Sequence, residues 1–439
     1  MGTRTRTVVA AAGAATFVLG LTGIVSPASA HHHRSHGSLV MIGGNLDEDA
    51  EILQRIVDLA DAADRKDDRP TIALVTAAAS PARTPEAAAD PTKNNAAANG
   101  LYYGALFAQY GADSYAVPVD TAVNWEGDPY VPANAFDAGV AAQVAAADGV
   151  FFGGGDQMRY VRTLLECQDA TDEAFTDCAD TPVLRAVRTV LARGGVVAGV
   201  SAGTTIQQGA DMVTGGESYQ GWRDGAAPGY FDDATKLAYL PYGGFGFFTA
   251  GLVDSHFATW GRQARMVRLA LATGHDRVFG VDETTALVVD RRSRTAEVIG
   301  DHGVSVLDVS RAHDRGTTVT GVRWTYLVAG DRIDLRSGAV RPGAPRVVRS
   351  GEGPAPVADA WDSIDGAGGT YTLRDLARSL LASKSPRARG TTFEADPQFT
   401  TTLQRVGWTR AWSGDAGLGF QNLTVRIAPT PTPTPTPTP

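Results

Sequence analysis

The 439-residue sequence has only two cysteines, one long apolar run near its start and no surplus of basic charge. Each shortage excludes something. Two cysteines cannot build a disulfide-dense scaffold or a cysteine-rich zinc site. Aspartate plus glutamate number 48 against 39 lysines and arginines, a net charge of −9, so nucleic acid, which is held by cations against phosphates, is not an expected partner. Beyond the N-terminal run no stretch is apolar for long enough to cross a bilayer as a helix. What is present is a large supply of core-forming side chains, 43% apolar against 20% charged, which argues against global disorder. The length allows two or three domains of roughly 100–200 residues, or one enlarged α/β domain with appendages.

The two ends read differently from the middle. Arg4 and Arg6, the apolar run Val8 to Val25 and the small residues Ala28-Ser29-Ala30 form the pattern of a secretory signal peptide over residues 1–30. A secreted, extracellular protein with no membrane attachment after cleavage is therefore expected. Residues 31–36 carry four histidines, His31, His32, His33 and His36, and read as a flexible arm. Residues 429–439 alternate proline and threonine, a composition that favours an extended linker or stalk. In an oxidising compartment Cys167 and Cys178, which flank a short Asp-rich segment, are expected to form a disulfide across one surface insertion; a loop of that size is stabilised by about 3 kcal/mol in the chain-entropy picture. The segment lacks the glycine and the terminal glutamate of a calcium loop.

From Gly37 onward apolar runs alternate with amphipathic ones. Ser38 to Ile42, Thr71 to Ala77, Ser114 to Val119, Gly149 to Phe152 and Gly195 to Val200 read as buried strands. Asp47 to Ala60, Ala97 to Tyr110, Ala135 to Ala147 and Val183 to Arg193 read as helices between them. This order predicts a doubly wound, mostly parallel sheet covered on both faces, over residues 37–310. Residues 311–428 turn to short Val/Thr/Arg-rich runs such as Thr317 to Leu327, and are expected to be a β-rich extension of unassigned role.

Ligands of such sheets bind beyond the carboxyl ends of the strands, which singles out two glycine-rich strand ends. Gly199-Val-Ser-Ala-Gly203 has the G-x-S-x-G pattern of a nucleophile elbow, with an apolar strand before it and a helix-compatible run after it. Ser201 is the candidate nucleophile. A serine needs a base, and histidine ordinarily serves because its pKa lies near working pH. Four of the eight histidines belong to the arm, and His275, His302 and His313 sit in polar turns; His256 alone follows a strand-like run downstream of the serine. For the carboxylate that orients the imidazole, Glu217 is the first choice. Asp254, two residues before His256 on the same strand face, and Asp211 remain alternatives. The other glycine-rich end, Gly153-Gly-Gly-Asp-Gln157, lacks the ending of a phosphate loop and the spacing of a dinucleotide fingerprint. Its Gly155 and Asp156, with the N–H of Ala202, are the expected oxyanion donors, and Gln157 is expected to orient substrate.

Five ordered blocks together resemble one family. They are Gly37-Ser-Leu-Val-Met-Ile-Gly-Gly44, Phe151-Phe-Gly-Gly-Gly-Asp-Gln157, Val200-Ser-Ala-Gly203, Asp254-Ser-His-Phe257 with Gly261-Arg262, and Gly280-Val-Asp-Glu-Thr-Thr-Ala-Leu287, spread over about 250 residues. The chain resembles the cyanophycinases and the related aspartyl dipeptidases, a family of serine peptidases. The resemblance implies an α/β fold akin to class I glutamine amidotransferases, with serine where those have cysteine. It implies a Ser-His-Glu or Ser-His-Asp triad, here Ser201, His256 and Glu217, with no metal and no cofactor. The substrate implied is cyanophycin, a poly-aspartate with arginines on its β-carboxyls, cleaved through an acyl-enzyme to β-aspartyl-arginine dipeptides. Asp254, Ser255, Arg262 and Arg265 are then expected to contact substrate, and a homodimer is compatible with the family. Cyanophycinases tend to carry arginine where this chain has Trp260, a large aromatic that could stack a guanidinium or fill the pocket for another peptide. A secreted esterase of the α/β-hydrolase type and a non-catalytic binding protein on the same fold are the alternatives.

Overall fold

In the strand Ser38–Ile42, Leu39 and Met41 face one apolar core while Val40 and Ile42 face another. The neighbouring strands share this division: Ala73 and Val75 against Ile72 and Leu74, Val150 and Phe152 against Phe151, Val197 against Val196 and Ala198. A strand alternates its side chains between faces, so burial on both sides requires an almost unbroken apolar run. The computed structural model describes residues 37–46, 48–63, 69–167, 169–171, 174–347, 349–414 and 416–431. The expected signal segment, the histidine arm, Asp47 and residues 432–439 of the Pro/Thr tail lie outside the described residues.

The first sheet has nine strands. Asp113–Ala116, Thr71–Val75, Gly149–Phe152, Val196–Val200 and Ser38–Ile42 lie side by side and parallel. Four antiparallel strands continue it, Thr285–Asp290, Thr295–Gly300, Arg332–Asp334 and Val340–Arg341. Helices Ala50–Asp61 and Ala96–Gln109 cover one face. Helices Ala138–Ala146, Gln157–Leu164 and Pro182–Ala192 pack into the core on the other. Their starts obey the capping rule: the side chains of Asp49, Asn95, Asp137, Asp156 and Thr181 each accept a hydrogen bond from the first turn. The α/β pattern read from the sequence is present, with boundaries shifted by up to three residues and the expected helix near Ala135 divided into a 3-10 turn, Pro132–Phe136, and a helix.

A second sheet, also of nine strands, changes the domain picture. Its main path runs Leu252–Asp254, Arg277–Val281, Gly303–Asp308, Thr318–Val328, Gly417–Pro429, Phe399–Gln404 and Arg387–Thr391. The boundary expected at residue 310 is therefore corrected, because strands from both sides of it pair directly: Gly303–Asp308 with Thr318–Val328, register Val304 to Leu327. One apolar cluster extends from Leu39 and Met41 through Phe279 to Trp324, Phe399 and Leu423. Residues 311–428 contribute strands and the helix Thr372–Ala382, and they complete this shared core. Cys167 and Cys178 are bridged, closing an insertion whose stem strands, Leu165–Glu166 and Ala179–Asp180, pair antiparallel. Among the described residues no helix is long and apolar enough to cross a membrane.

A chain ended after Ser310 loses Thr318–Val328, one of the two strand partners of Gly303–Asp308, and removes Trp324, Phe399 and Leu423 from the shared core. We expect such a truncation to lack near-ultraviolet circular dichroism and to elute as aggregate on size-exclusion chromatography; a cooperatively unfolding monomer would contradict the shared core.

Candidate active site

The wholly buried strand Val196–Val200 ends at Ser201, which has φ 55°, and the chain turns at once into a helical turn, Ala202–Thr205. The bend needs glycine at Gly203, where a Cβ would lie 2.1 Å from the Phe152 carbonyl oxygen. Ser201 N–H donates to the Ile42 carbonyl at 3.0 Å, and the Thr204 hydroxyl donates to the same oxygen at 2.7 Å. The serine is thus fixed to the end of the central strand.

His256 arrives from the other sheet. It follows the strand Leu252–Asp254, has φ 48°, and donates its backbone N–H to the Gly43 carbonyl at 2.7 Å. That hydrogen bond seats its ring over Gly44, where an added Cβ would come within 2.2 Å of Cε1. The result is a distance of 2.8 Å between Ser201 Oγ and His256 Nε2. The two residues singled out from the sequence are brought together.

The carboxylate on the far side of the ring is not Glu217. Glu283 Oε1 lies 2.6 Å from His256 Nδ1, and Glu283 Oε2 accepts from Asn45 Nδ2 at 2.7 Å. Glu283 lies where the chain leaves the second sheet at Val281 and enters the first at Thr285. Thr284, at φ 48°, makes the crossing and donates its N–H to the Gly44 carbonyl at 2.9 Å. Ser201, His256 and Thr284 all hold left-handed backbone, which is uncommon for residues with a Cβ and gathers where the surroundings force it. The alternatives for the acid are occupied elsewhere: Asp211 pairs with His275 Nε2 at 2.9 Å, and Asp254 with two arginines.

Burial is the largest influence on His256 and pushes its pKa below the ordinary 6.5, with Arg262 acting in the same direction; Glu283 and Asp254 oppose them. A neutral imidazole accepts a proton at Nε2 while its Nδ1–H is held by a carboxylate. Glu283 fixes that tautomer.

The expected oxyanion donors divide. Ala202 opens a helical turn, so its N–H has no intrahelical acceptor. The Gly153–Gly155 run lies against the serine, the Cβ position of Gly154 being 3.5 Å from Ser201 Cβ, and Gly155 remains a candidate. Asp156 is corrected: its N–H donates to the Ala78 carbonyl at 2.9 Å, and its carboxylate caps the next helix at Met158 N and accepts from Tyr230 Oη.

A cavity of about 520 Å³ opens beside these groups, lined among others by Gly155, Gln157, Ser201, Glu217, Asp254, Ser255, His256, Trp260, Arg262 and Arg265. Every residue expected to contact substrate borders it, with different freedom. Asp254 is 1% exposed, and Arg265 grips both its oxygens through three contacts at 2.8–2.9 Å while Arg262 adds a fourth at 3.1 Å. This carboxylate is therefore spent on holding arginines. Ser255 is buried and bonds to the Asp254 carboxylate through its N–H, and Gln157 donates to the Val213 carbonyl at 3.0 Å. Glu217 borders the cavity, pushed up from its usual value by burial against the opposing pull of Arg265 and Arg262. Trp260 is 46% exposed yet stacks on His256, ring centroids 4.2 Å apart and 12° from parallel, with the Arg262 guanidinium 4.5 Å from its ring. Among the described residues no group of three or more His, Cys, Asp or Glu side chains is placed to hold a metal ion.

Fold and site together define an α/β chain with a serine, imidazole and carboxylate aligned at the carboxyl edge of a parallel sheet. Its relatives are consistent in name. A stretch of 222 residues is 31% identical to a cyanophycinase of Trichormus variabilis, covering 47% of this chain and 64% of that protein, so the chain spans somewhat under two thirds of that relative. Over 277 residues it is 28% identical to a cyanophycinase of Geminocystis herdmanii, covering 62% of this chain and 80% of the relative. Among solved structures, a peptidase from an acI-B1 Actinobacterium aligns with a TM-score of 0.45 and 20% identity over 69% of this chain and 98% of its own. No family model matches. In sequence the chain is thus similar to cyanophycinases over part of its length.

The electrostatics can be checked by nuclear magnetic resonance of the His256 ring. We expect it to titrate below 6.5, and to fall further in Glu283→Gln, since that substitution removes the largest of the influences that raise it and leaves only Asp254. An unchanged midpoint in Glu283→Gln would remove Glu283 from the site.

Proposed function

We propose that the protein is a serine-type peptidase that cleaves aspartyl or β-aspartyl peptide bonds, with cyanophycin as the polymer it degrades to β-aspartyl-arginine dipeptides. The observation that carries this reading is the continuous contact from Ser201 Oγ to His256 Nε2 at 2.8 Å and from His256 Nδ1 to Glu283 at 2.6 Å.

In this mechanism His256 Nε2 takes the Ser201 proton as Oγ attacks the scissile carbonyl carbon, and the resulting imidazolium is stabilised by Glu283. Glu283, in place of Glu217, is the triad acid. The developing oxyanion is met by the N–H groups of Ala202 and Gly155, fixed by the elbow and the glycine run and needing no reorientation. The imidazolium then protonates the leaving amine, giving an ester on Ser201 Oγ. Water, deprotonated by the same imidazole, attacks that ester and releases the acid. Free carboxylates of an aspartyl substrate are drawn by Arg262 at the cavity wall, and Glu217 offers the opposite charge to a guanidinium. The Cys167–Cys178 bridge supports action in an oxidising, extracytoplasmic compartment.

Incubation with insoluble cyanophycin and with isoaspartyl dipeptides, followed by mass analysis, tests the reading. Dipeptide release is expected, and Ser201→Ala and His256→Ala abolish it. Glu283→Gln should cost roughly 10²–10⁴-fold in kcat, whereas Glu217→Gln acts mainly on KM. Wild-type rates in Ser201→Ala would overturn the mechanism, and ester cleavage without peptide cleavage would redirect it to an esterase. Because the base titrates below its ordinary value, the acid limb of kcat/KM should have its midpoint under 6.5, with activity present above it and lost as pH falls through it.

A further inference from the structure

A second cavity, about 900 Å³ against about 520 Å³ beside Ser201, shares no lining residue with the candidate active site. Its floor includes Leu39 and Val289, a cross-strand pair at the start of the central strand, whereas Ser201 is bound to Ile42 at that strand's end. It is thus on the opposite rim of the first sheet. Five arginines line it, Arg277, Arg291, Arg292, Arg294 and Arg336. None of the five is ion-paired among the described residues, although many other arginines of this acidic chain are.

The geometry of two turns explains the clustering. Asp290 could have neutralised its neighbours, but its carboxylate accepts from the backbone N–H groups of Arg292 and Ser293 at 2.8 and 3.2 Å. Asp334 does the same for Arg336 and Ser337, at 3.1 and 2.7 Å. Leu335 N–H donates to the Arg294 carbonyl at 2.9 Å and ties the two turns together. Arg277 donates to the Leu335 and Arg336 carbonyls at 2.8 and 3.3 Å, fixing the second turn from beneath. The acids of both turns therefore shape backbone and form no close ion pair with the five arginines, although Arg292 and Arg336 act electrostatically on Asp290 and Asp334; one further carboxylate, Asp276, is on the lining. Arg291 is half-buried, and burial, with Arg188 nearby, pushes it down from its ordinary value, as expected of a cation lacking a partner.

We propose that this cavity is a binding site for a compact anion bearing several oxyanion groups, phosphate or carboxylate, gripped by the forked donors of the paired turns. Guanidinium forks match both groups bidentately, and the volume is that of an ordinary small-ligand site. The site stands independently of the hydrolase reading, since it uses none of those residues.

Calorimetric titration of the full chain tests it, with tripolyphosphate and citrate as probes and inorganic phosphate as the single-group control. Saturable one-to-one binding of at least one multivalent probe is expected, tighter than that of phosphate and unchanged in Ser201→Ala. It should weaken roughly tenfold or more in Arg291→Gln/Arg294→Gln, because each lost charged hydrogen bond costs about that factor. Preference for tripolyphosphate or for citrate identifies the oxyanion. If the double variant does not fold, Arg336→Gln on the exposed turn gives the same comparison. Failure of both probes to saturate, or equal affinity in the arginine variants, would overturn the proposal. Cyanophycin turnover is expected to persist in these variants, so a failed anion site and a failed hydrolase are told apart.

Discussion

Three consecutive carbonyls, those of Ile42, Gly43 and Gly44, hold the site together. They receive the backbone N–H groups of Ser201, His256 and Thr284 in turn, at 3.0, 2.7 and 2.9 Å. Each of those bonds fixes the start of one participating segment: the elbow, the imidazole and the turn that carries Glu283. The end of one strand therefore sets the spacing of three side chains from distant parts of the sequence. Gly44 adds a steric condition, since only the absence of a Cβ leaves room for the ring. Buried backbone groups must find partners, so the same bonds that satisfy this strand end also align the relay.

Around that junction the charges are graded by burial. Asp254 and Arg265 are nearly inaccessible and satisfy one another, with the Gly216 carbonyl as a further acceptor for Arg265. Breaking one partner of such a pair leaves a buried charge, which is costly, so the pair acts as a wall. Arg262 and Glu217 stand further out at the cavity and retain capacity for a ligand. Trp260 covers one face of the imidazole, limiting the directions from which water reaches Nε2.

Much of this was legible in the sequence because it is local. Strand ends with glycine and a preceding apolar run identified Ser201, and the scarcity of histidine outside polar turns identified His256. Glu283 was visible in the block Gly280-Val-Asp-Glu-Thr-Thr-Ala-Leu287, at a strand end followed by polar residues, the same signal that marked His256. Glu217 is nearer to the serine in sequence, but nearness in sequence says little across two sheets. Asn45, which holds the second oxygen of Glu283, directly follows the block Gly37 to Gly44, and a partner 238 residues away leaves no local trace. The false boundary at 310 has the same origin: a run such as Thr318–Val328 reads alike whether it opens a separate module or completes an existing sheet. Asp156 was misjudged because a glycine run suggests free N–H groups, and the Ala78 carbonyl that occupies this one comes from another strand end.

The nucleophile belongs to one sheet and the imidazole to the other, so the proton's path crosses the junction between the two sheets. Displacement by about 1 Å across such a contact can cost roughly a hundredfold in rate while leaving nearly all packing in place. Warming or mild denaturant would then silence the molecule by slippage along that junction before either sheet melts, and what resists it is the short run of backbone at the end of the central strand that both sheets share as an acceptor.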